Sequence, residues 1–382
     1  MSEVQVVIVG GGPVGLFLGC RLAQLGISFR VLEQRPHPVQ HSRSIGIHPP
    51  SLEKLEELGL ADALIEKGIQ VKRGHAFANT RYLGSLEFSS CPAPYTFVLA
   101  LPQYETEALL ERRLCKLAPG SLLRGVQVTD LKHANDAVQL TFRHGEGQSE
   151  TISADFVVGC DGKDSTVRQL SGISFSGSAY PDTYLMGDFA DSTELGADAG
   201  IYLTDAGLVE SFPLPGGKRR WVAKTDAYMT EPTPELLAKL IFERLEHRLP
   251  THTNTMLSAF GVQNYLAETF AAGRVLLAGD AAHVVNPIGG QGMNLGWLDA
   301  AAAANTLDEI FNNRAEPDEV IKNFSAQRRR AAKNAARGAA FNMTMGRATP
   351  FAFLKHAAVQ GLLKTPMERI FARLFTMRGL ES

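Results

Sequence analysis

The six residues VQVVIV, Val4 to Val9, run straight into GGGPVG. A short, continuously apolar run followed by a glycine cluster reads as a strand buried on both faces that ends in a tight turn. The residues to Gly26 then read as a helix, and Ile27 to Glu33 as a second strand, which makes a βαβ opening. Gly10, Gly12 and Gly15 have the spacing this turn needs: the first permits the sharp bend, the second lets backbone approach a pyrophosphate, and the third lets helix and strand pack closely. Pro13 and Val14 begin a helix whose N-terminus offers unpaired N–H groups and positive potential to phosphates. Glu33 ends the second strand, where a carboxylate can accept both hydrogen bonds of a ribose diol and would repel a 2′-phosphate. Gln34 and Arg35 follow at the same edge and join it as cofactor-binding candidates. The slot suits FAD or NAD rather than NADP.

A second constellation decides between those two. GRVLLAGDAAHVVNPIGGQGMNLGWLDA, Gly273 to Ala300, reads as a buried strand, a loop and an alanine-rich helix. The strand delivers Gly279 and Asp280 to a sheet edge, where a carboxylate can bind ribityl and pyrophosphate-proximal hydroxyls. Pro287, Gly289, Gly290 and Gly292 form bare backbone on which a flat ring can lie, with Pro287 to Gly290 lining the reacting side. Amides at Gly292, Met293 and Asn294 would face the ring's N1–C2=O edge and stabilise the negative charge a reduced flavin develops. The two segments together span a ligand as long as FAD.

Between these motifs the chain changes character. SLEKLEELGLADALIEKG, from Ser51, puts Leu52, Leu55, Leu58 and Leu64 at helical spacing with stops at Gly59 and Gly68, and Gln103 to Leu117 reads as another helix. Residues 70–101 and 182–226 read as short strands of one antiparallel sheet, interrupted by a helix over Pro234 to Leu249 and rejoined at Met256 to Tyr265. The last eighty residues read as helical. The fold class is α/β with an inserted, mainly antiparallel sheet. The FAD-binding domain is assigned to 1–72, 98–178 and 266–340, the substrate-binding sheet to 73–97 and 179–265, and residues 341–382 to helices packing on the FAD domain.

With these segments the sequence resembles the class A flavoprotein aromatic hydroxylases. CDGKDSTVR, Cys160 to Arg168, resembles that family's DG motif, and the resemblance implies that Asp161, Gly162 and Arg168 support flavin and pyridine-nucleotide binding. SRSIGIHPPSLEKLEELGL resembles the segment whose arginine, here Arg43, lies beside flavin and pyrophosphate. Gln103 in LPQYETEALLERRL matches a glutamine that hydrogen-bonds the FAD chain, and Val128 is included among the cofactor-binding candidates. His48 or Pro49 stands where the family often has arginine. Plainer alternatives exist: Asp161 as a turn residue before a helix capped by Ser165, Arg43 as a surface arginine, Gln103 as a helix-start residue.

The resemblance implies an FAD-binding Rossmann-like (GR2-type) fold and a monooxygenase reaction. NAD(P)H reduces FAD, O2 adds to give a flavin C4a-hydroperoxide, and one oxygen passes to a phenolic, quinolone or polyketide-like aromatic molecule. The protein's part is a dry, orienting pocket. Tyr202, Phe212 and Trp221 could line its far wall, although alternation along strands favours core packing for each. The alternatives are an FAD reductase or dehydrogenase without oxygen transfer, and a flavin-bound, membrane-associated interaction protein.

Composition narrows the rest. A chain of 382 residues, 45% apolar and 20% charged, suits one large or two interlocked domains. Cys20, Cys91, Cys115 and Cys160 have neither CxxC nor metal-ligand spacing, and His37 and His41 are separated by Pro38, so neither redox-thiol nor metal chemistry is expected. His283 reads as a satisfied loop histidine, and no acid–base residue is assigned. Trp221 and Trp297 are the only tryptophans, which excludes the WxWxIP motif of flavin halogenases. With no basic leader and no run of about 18 apolar residues, a cytoplasmic protein is expected, monomer or homodimer, with no nucleic-acid partner. Residues 321–382 carry twelve Lys and Arg against Glu368 and Glu381. Met367, Ile370, Phe371, Leu374 and Phe375 follow helical spacing beside Arg369 and Arg373, so weak membrane-surface contact competes there with docking onto the FAD domain.

Overall fold

Strand β1 (Val4–Val9) occupies the middle of a parallel array, which is why it carries no polar face. Val6, Val7 and Ile8 are fully buried, each contributing about 1.5–3 kcal/mol of transfer free energy. The architecture is that of a computed structural model describing residues 4–39, 44–134, 136–145, 147–347, 352–365 and 367–378, without the side chains of 341, 342 and 345. Helix α1 (Pro13–Gln24) starts with proline, whose fixed φ suits a first helical turn, and the chain reverses at Gly26, φ +71°. Strand β2 (Phe29–Glu33) returns parallel to β1, with Val6 opposite Phe29.

The chain then builds β3 (Gly46–Ile47), α2 (Pro49–Glu56), α3 (Ala61–Lys67), β4 (Ile69–Val71), β5 (Arg73–Ala78), β6 (Arg81–Glu87) and β7 (Val98–Ala100). The leucine pattern from Ser51 is divided at Gly59, φ +70°, and Leu52, Leu55, Leu58 and Leu64 all reach the core. Helix α4 (Gln103–Leu117) has the expected bounds. After it come β8 (Leu122–Arg124), β9 (Val126–His133), β10 (Val138–His144), β11 (Ser149–Gly159), α5 (Thr166–Leu170), β12 (Phe175–Ala190), β13 (Ala199–Thr204), β14 (Gly207–Leu214) and β15 (Lys218–Thr225). Helix α6 (Pro234–Leu245) stops four residues short of the sequence expectation, because Glu246 turns left-handed at φ +57°. Strands β16 (Met256–Ala267), β17 (Ala271–Ala272), β18 (Val275–Leu277) and β19 (His283–Val284) precede helices α7 (Gln291–Phe311), α8 (Pro317–Gly346), α9 (Ala352–Leu363) and α10 (Glu368–Phe375).

Three sheets result. The first runs β17-β18-β11-β1-β2-β8, with β9 and β10 continuing antiparallel from β11, and β1 parallel to both neighbours. The second runs β19-β16-β12-β15-β14-β13-β5-β6. It corrects one expectation: β5 joins β13 in parallel, Ala76 opposite Ile201, because β5 arrives from the other domain rather than through a hairpin. The third, β3-β7-β4, takes the outer ends of the 70–101 stretch and was not anticipated. Strands β12 and β16 pair with each other within the second sheet, and the 178/179 division lies beside a register shift between Ala179 and Thr183.

The tail meets both parts. Helices α9 and α10 lie against β6 at the edge of the second sheet, where Phe375 stacks on Phe88 with centroids 5.6 Å apart. On the FAD-binding side Phe375 stands edge-on to His48 with centroids 6.1 Å apart, Ala372 and Phe375 pack with Val71, Val98 and Ala100, and just beyond α10 Arg378 meets Glu53 at 2.6 Å. On the sheet's other face α6 buries Leu237, Ile241 and Leu245 against Leu185, Phe189 and Trp221. The face opposite α6 is left to border a cavity. Among the described residues no helix is long and apolar enough to cross a membrane, and no metal-ligand cluster occurs.

Candidate active site

The two glycine segments meet. Gly10 has φ +108°, and a Cβ there would stand 2.3 Å from the Cys160 carbonyl oxygen; one on Gly15 would stand 1.9 Å from the Gly10 carbonyl oxygen. Both are therefore glycine by steric necessity. Gly12 differs: it precedes α1 without any side-chain cap, and a Cβ would meet only Arg35, at 3.8 Å. Across the gap Gly279, φ +65°, packs on Val14, and the Trp297 indole N–H donates to the Pro13 carbonyl at 3.0 Å. The N-terminal ends of α1 and α7 thus open on one cavity of about 1420 Å³. Helix α7 also starts without a side-chain cap, from Gly290 at φ +67°.

Of the residues singled out from sequence, Gly10, Gly12, Pro13, Val14, Glu33, Gln34, Arg35, Gln103, Val128, Asp161 and Gly162 line this cavity, as do Asp280, Pro287, Gly289, Gly290, Gly292 and Met293. Gly15, Arg168, Gly279 and Asn294 do not line it. Arg168 is a strut, donating to the Ala281 and Lys163 carbonyls at 2.9 and 2.8 Å with its guanidinium over Phe175. Asn294 is a clamp: Oδ1 accepts from the His48 amide at 2.8 Å, and Nδ2 donates to the Gly46 and Gly290 carbonyls. Arg43 lies outside the described residues.

Three carboxylates differ in their surroundings. Burial works to raise the Glu33 carboxyl, but hydrogen bonds from Arg35 and from the Gly11 amide, the latter at 2.6 Å, outweigh it and hold it below the usual range. The Asp161 carboxyl is pushed up by burial, although Ser165 Oγ donates to it at 2.6 Å and the Val167 amide at 3.1 Å. Ser165 does cap α5, accepting from the Arg168 amide, so the turn-and-cap reading of Asp161 holds while its residue also borders the cavity. Asp280 is exposed to the cavity, yet the protein packed around it raises its carboxyl against the pull of His283 and Lys163.

His48 was missed. Its ring borders the cavity, with Nε2 3.0 Å from the Gly289 carbonyl and Nδ1 without a partner among the described residues. Burial holds its pKa at about 4, so the ring is neutral, and Nε2 must carry the proton to meet a carbonyl. A lone histidine before two prolines gave no periodic or spacing signal for this role. His283 is satisfied on one side only: Nε2 lies 2.5 Å from Asp299 Oδ2, whereas Nδ1 has no partner among the described residues; Asp299 also accepts from Arg328 and from the Gly279 amide. Beyond the loop, Met186, Ile201, Leu203, Leu208, Phe212 and Val222 form an apolar wall on the second sheet. Phe212 thus lines the cavity, whereas Trp221 and Tyr202 stack together away from it.

A family profile described as FAD binding domain matches residues 3–339. The chain belongs to that FAD-binding family. This FAD-binding protein is 33% identical over 334 residues to a 6-methylpretetramide 4-monooxygenase of Streptomyces rimosus, covering 85% of this chain and 59% of that one. It is 30% identical over 334 residues to a pentachlorophenol 4-monooxygenase of Sphingobium chlorophenolicum, covering 83% and 60%. The chain therefore spans about three-fifths of the length of these relatives. Among solved structures, the OxyS anhydrotetracycline hydroxylase of Streptomyces rimosus superposes with a TM-score of 0.82 at 31% identity, over 98% of this chain and 76% of that one. A p-nitrophenol 4-monooxygenase, PnpA of Pseudomonas putida, superposes with a TM-score of 0.89 at 24% identity over 100% and 99%, which shows a shared fold.

The cofactor, FAD, fits what the FAD-binding protein presents. Two uncapped helix N-termini face one cavity, and Gly12 leaves beside the first the space a side chain would fill.

Proposed function

We propose that the chain is an FAD-dependent monooxygenase that uses NAD(P)H and O2 to hydroxylate a small aromatic molecule. One observation carries this reading: a single cavity has the two glycine segments at one end and an apolar sheet wall at the other, so cofactor and an apolar ring can share it. The FAD-binding part comprises the first sheet and its helices, and the second sheet is the substrate part.

Glu33 and Arg35 would hold the adenosine end with Val128 beside them, the uncapped start of α1 the pyrophosphate, and Asp280 the chain between. Gln103 and Asp161 border the same stretch, while Arg168, Gly279 and Asn294 support it from outside the cavity. Bound there, FAD supplies the redox and oxygen-transfer chemistry. His48 holds the Gly289 carbonyl, and Asn294 the Gly290 carbonyl, so the loop beside the ring is rigid before substrate arrives. The apolar wall excludes water and orients the substrate.

The test is NAD(P)H oxidation by the purified protein with a panel of phenols, quinolones and polyketides, under isotope-labelled O2. Substrate-stimulated oxidation with one labelled oxygen in the product supports the reading. Oxidation without incorporation means a reductase. The outer face of α10, with Met367, Ile370 and Leu374 half exposed beside Arg369 and Arg373, supports weak contact with an anionic membrane surface. Sedimentation with anionic against neutral liposomes tests that proposal.

A further inference from the structure

The cavity wall on the second sheet is mostly apolar, with a carboxyl near its centre. Four backbone pairings place Ala76, Ile201, Glu210, Val222 and Met186 in one row across β5, β13, β14, β15 and β12. All five border the cavity, and Glu210 is only 7% exposed. The next row on one side carries Phe212 and Arg220, and on the other Leu208 and Leu203. Arg220 is committed to Asp188, with bonds of 2.7 and 2.8 Å. Glu210 makes no hydrogen bond or ion pair among the described residues, whereas every other buried carboxylate on this face, Asp188 and Asp182, has an arginine.

A carboxyl set among apolar side chains without a partner costs free energy, and persists where a ligand uses it. Burial alone pushes Glu210 up to about 7. It therefore sits where a proton can be taken and returned near neutrality. The other ionisable groups around it are Tyr184 and Asp188 on β12 and Arg220 on β15, with His48, His75 and Glu368 elsewhere on the cavity; none of them bonds it.

We propose that Glu210 receives the proton of a hydroxyl on the substrate's aromatic ring, and so restricts the substrates to phenols whose hydroxyl is turned toward β14. This rests on the hydroxylase reading above. The hydroxyl O–H bond breaks, the proton joins a Glu210 carboxylate oxygen, and the electron pair stays on the phenolate oxygen. From there it is shared with the ortho and para ring carbons, the positions an electrophilic oxygen attacks. The proton returns to that oxygen before product leaves.

The experiment uses the full-length, FAD-loaded protein without NAD(P)H, with 4-nitrophenol and its methyl ether, 4-nitroanisole, as probes. Wild type is expected to bind the phenol at least about tenfold more tightly than the ether, a difference of one charge-assisted hydrogen bond. The bound phenol should show more phenolate absorbance than the free phenol in the same buffer. Glu210→Leu should erase the preference. Glu210→Gln should keep part of the affinity, since its amide oxygen still accepts, but lose the phenolate absorbance; with any phenol that turns over, kcat should fall about a hundredfold with KM little changed.

Equal affinity for phenol and ether in wild type, including no binding of either, overturns the proposal, and so does an unchanged preference in a folded Glu210→Leu variant. Should both variants fail to fold, the wild-type comparison decides alone. Hydroxylation of aromatic ethers as readily as phenols would remove the role of Glu210 and leave the monooxygenase reading standing.

Discussion

The indole Nε1 of Trp297 donates to the carbonyl oxygen of Pro13 at 3.0 Å, which fastens the second turn of α7 to the first turn of α1. The two helices are far apart in the sequence, and each presents an uncapped N-terminus to the same cavity. Trp297→Phe keeps most of the buried ring but leaves the Pro13 carbonyl with its helical bond alone. The expected loss is about 0.5–1.5 kcal/mol in chemical denaturation, together with weaker FAD binding. A variant as stable as wild type would show that the bond does not join the motifs.

Gly10 and Gly12 should respond differently to alanine. At Gly10 the new Cβ meets the Cys160 carbonyl oxygen at 2.3 Å, so Gly10→Ala should destabilise the apoprotein measurably in a thermal melt. At Gly12 nothing lies closer than 3.8 Å, so Gly12→Ala should leave apoprotein stability within about 0.5 kcal/mol of wild type. Its effect should appear in FAD affinity, reduced at least about tenfold because the methyl group occupies the phosphate approach.

The buried set of Asp299, His283 and Arg328 joins β19, α7 and α8. Burial works to raise the Asp299 carboxyl, but the charges of His283 and Arg328 outweigh it and hold it below the usual range. Asp299→Ala leaves a buried arginine unpaired and should cost about 3–5 kcal/mol in urea denaturation. Because His283 borders Asp299 rather than the cavity, His283→Gln should lower the thermal midpoint while leaving kcat within a few-fold of wild type.

Acid should expose His48. Its folded pKa is about 4 against an ordinary 6.5, so between those values the unfolded chain binds a proton that the folded protein refuses. The stability contributed by the neutral ring is complete above pH 6.5 and is lost as pH falls toward 4. His48→Gln should flatten the stability profile in that window. An unchanged slope would place its origin elsewhere.

Much of the FAD-binding half was legible because its constraints are local. Gly10 is demanded by its own positive φ and Gly15 by the Gly10 carbonyl within the turn, and β1 and α4 announce themselves by apolar periodicity. Asp280 could be tied to Gly12 only through two matching motifs. Long-range pairings left no such mark. The parallel junction of β5 with β13 depends on a partner over a hundred residues away, and alternation along either strand is the same for both directions. His48 and Glu210 were illegible for a related reason: a single polar residue declares no function until the surrounding chain shows that it borders a cavity. Arg168 and Asn294 stand in family-like motifs, yet their side chains serve the backbone around the cavity rather than the cavity itself.

Equilibrium titration of the deflavinated protein with FAD bears most directly on the joining of the two glycine segments in one cofactor site. Saturation at one FAD per chain is expected, with affinity lowered both by Gly12→Ala at one end and by Asp280→Asn at the other. A colourless protein that never saturates, or binding indifferent to both substitutions, would contradict it.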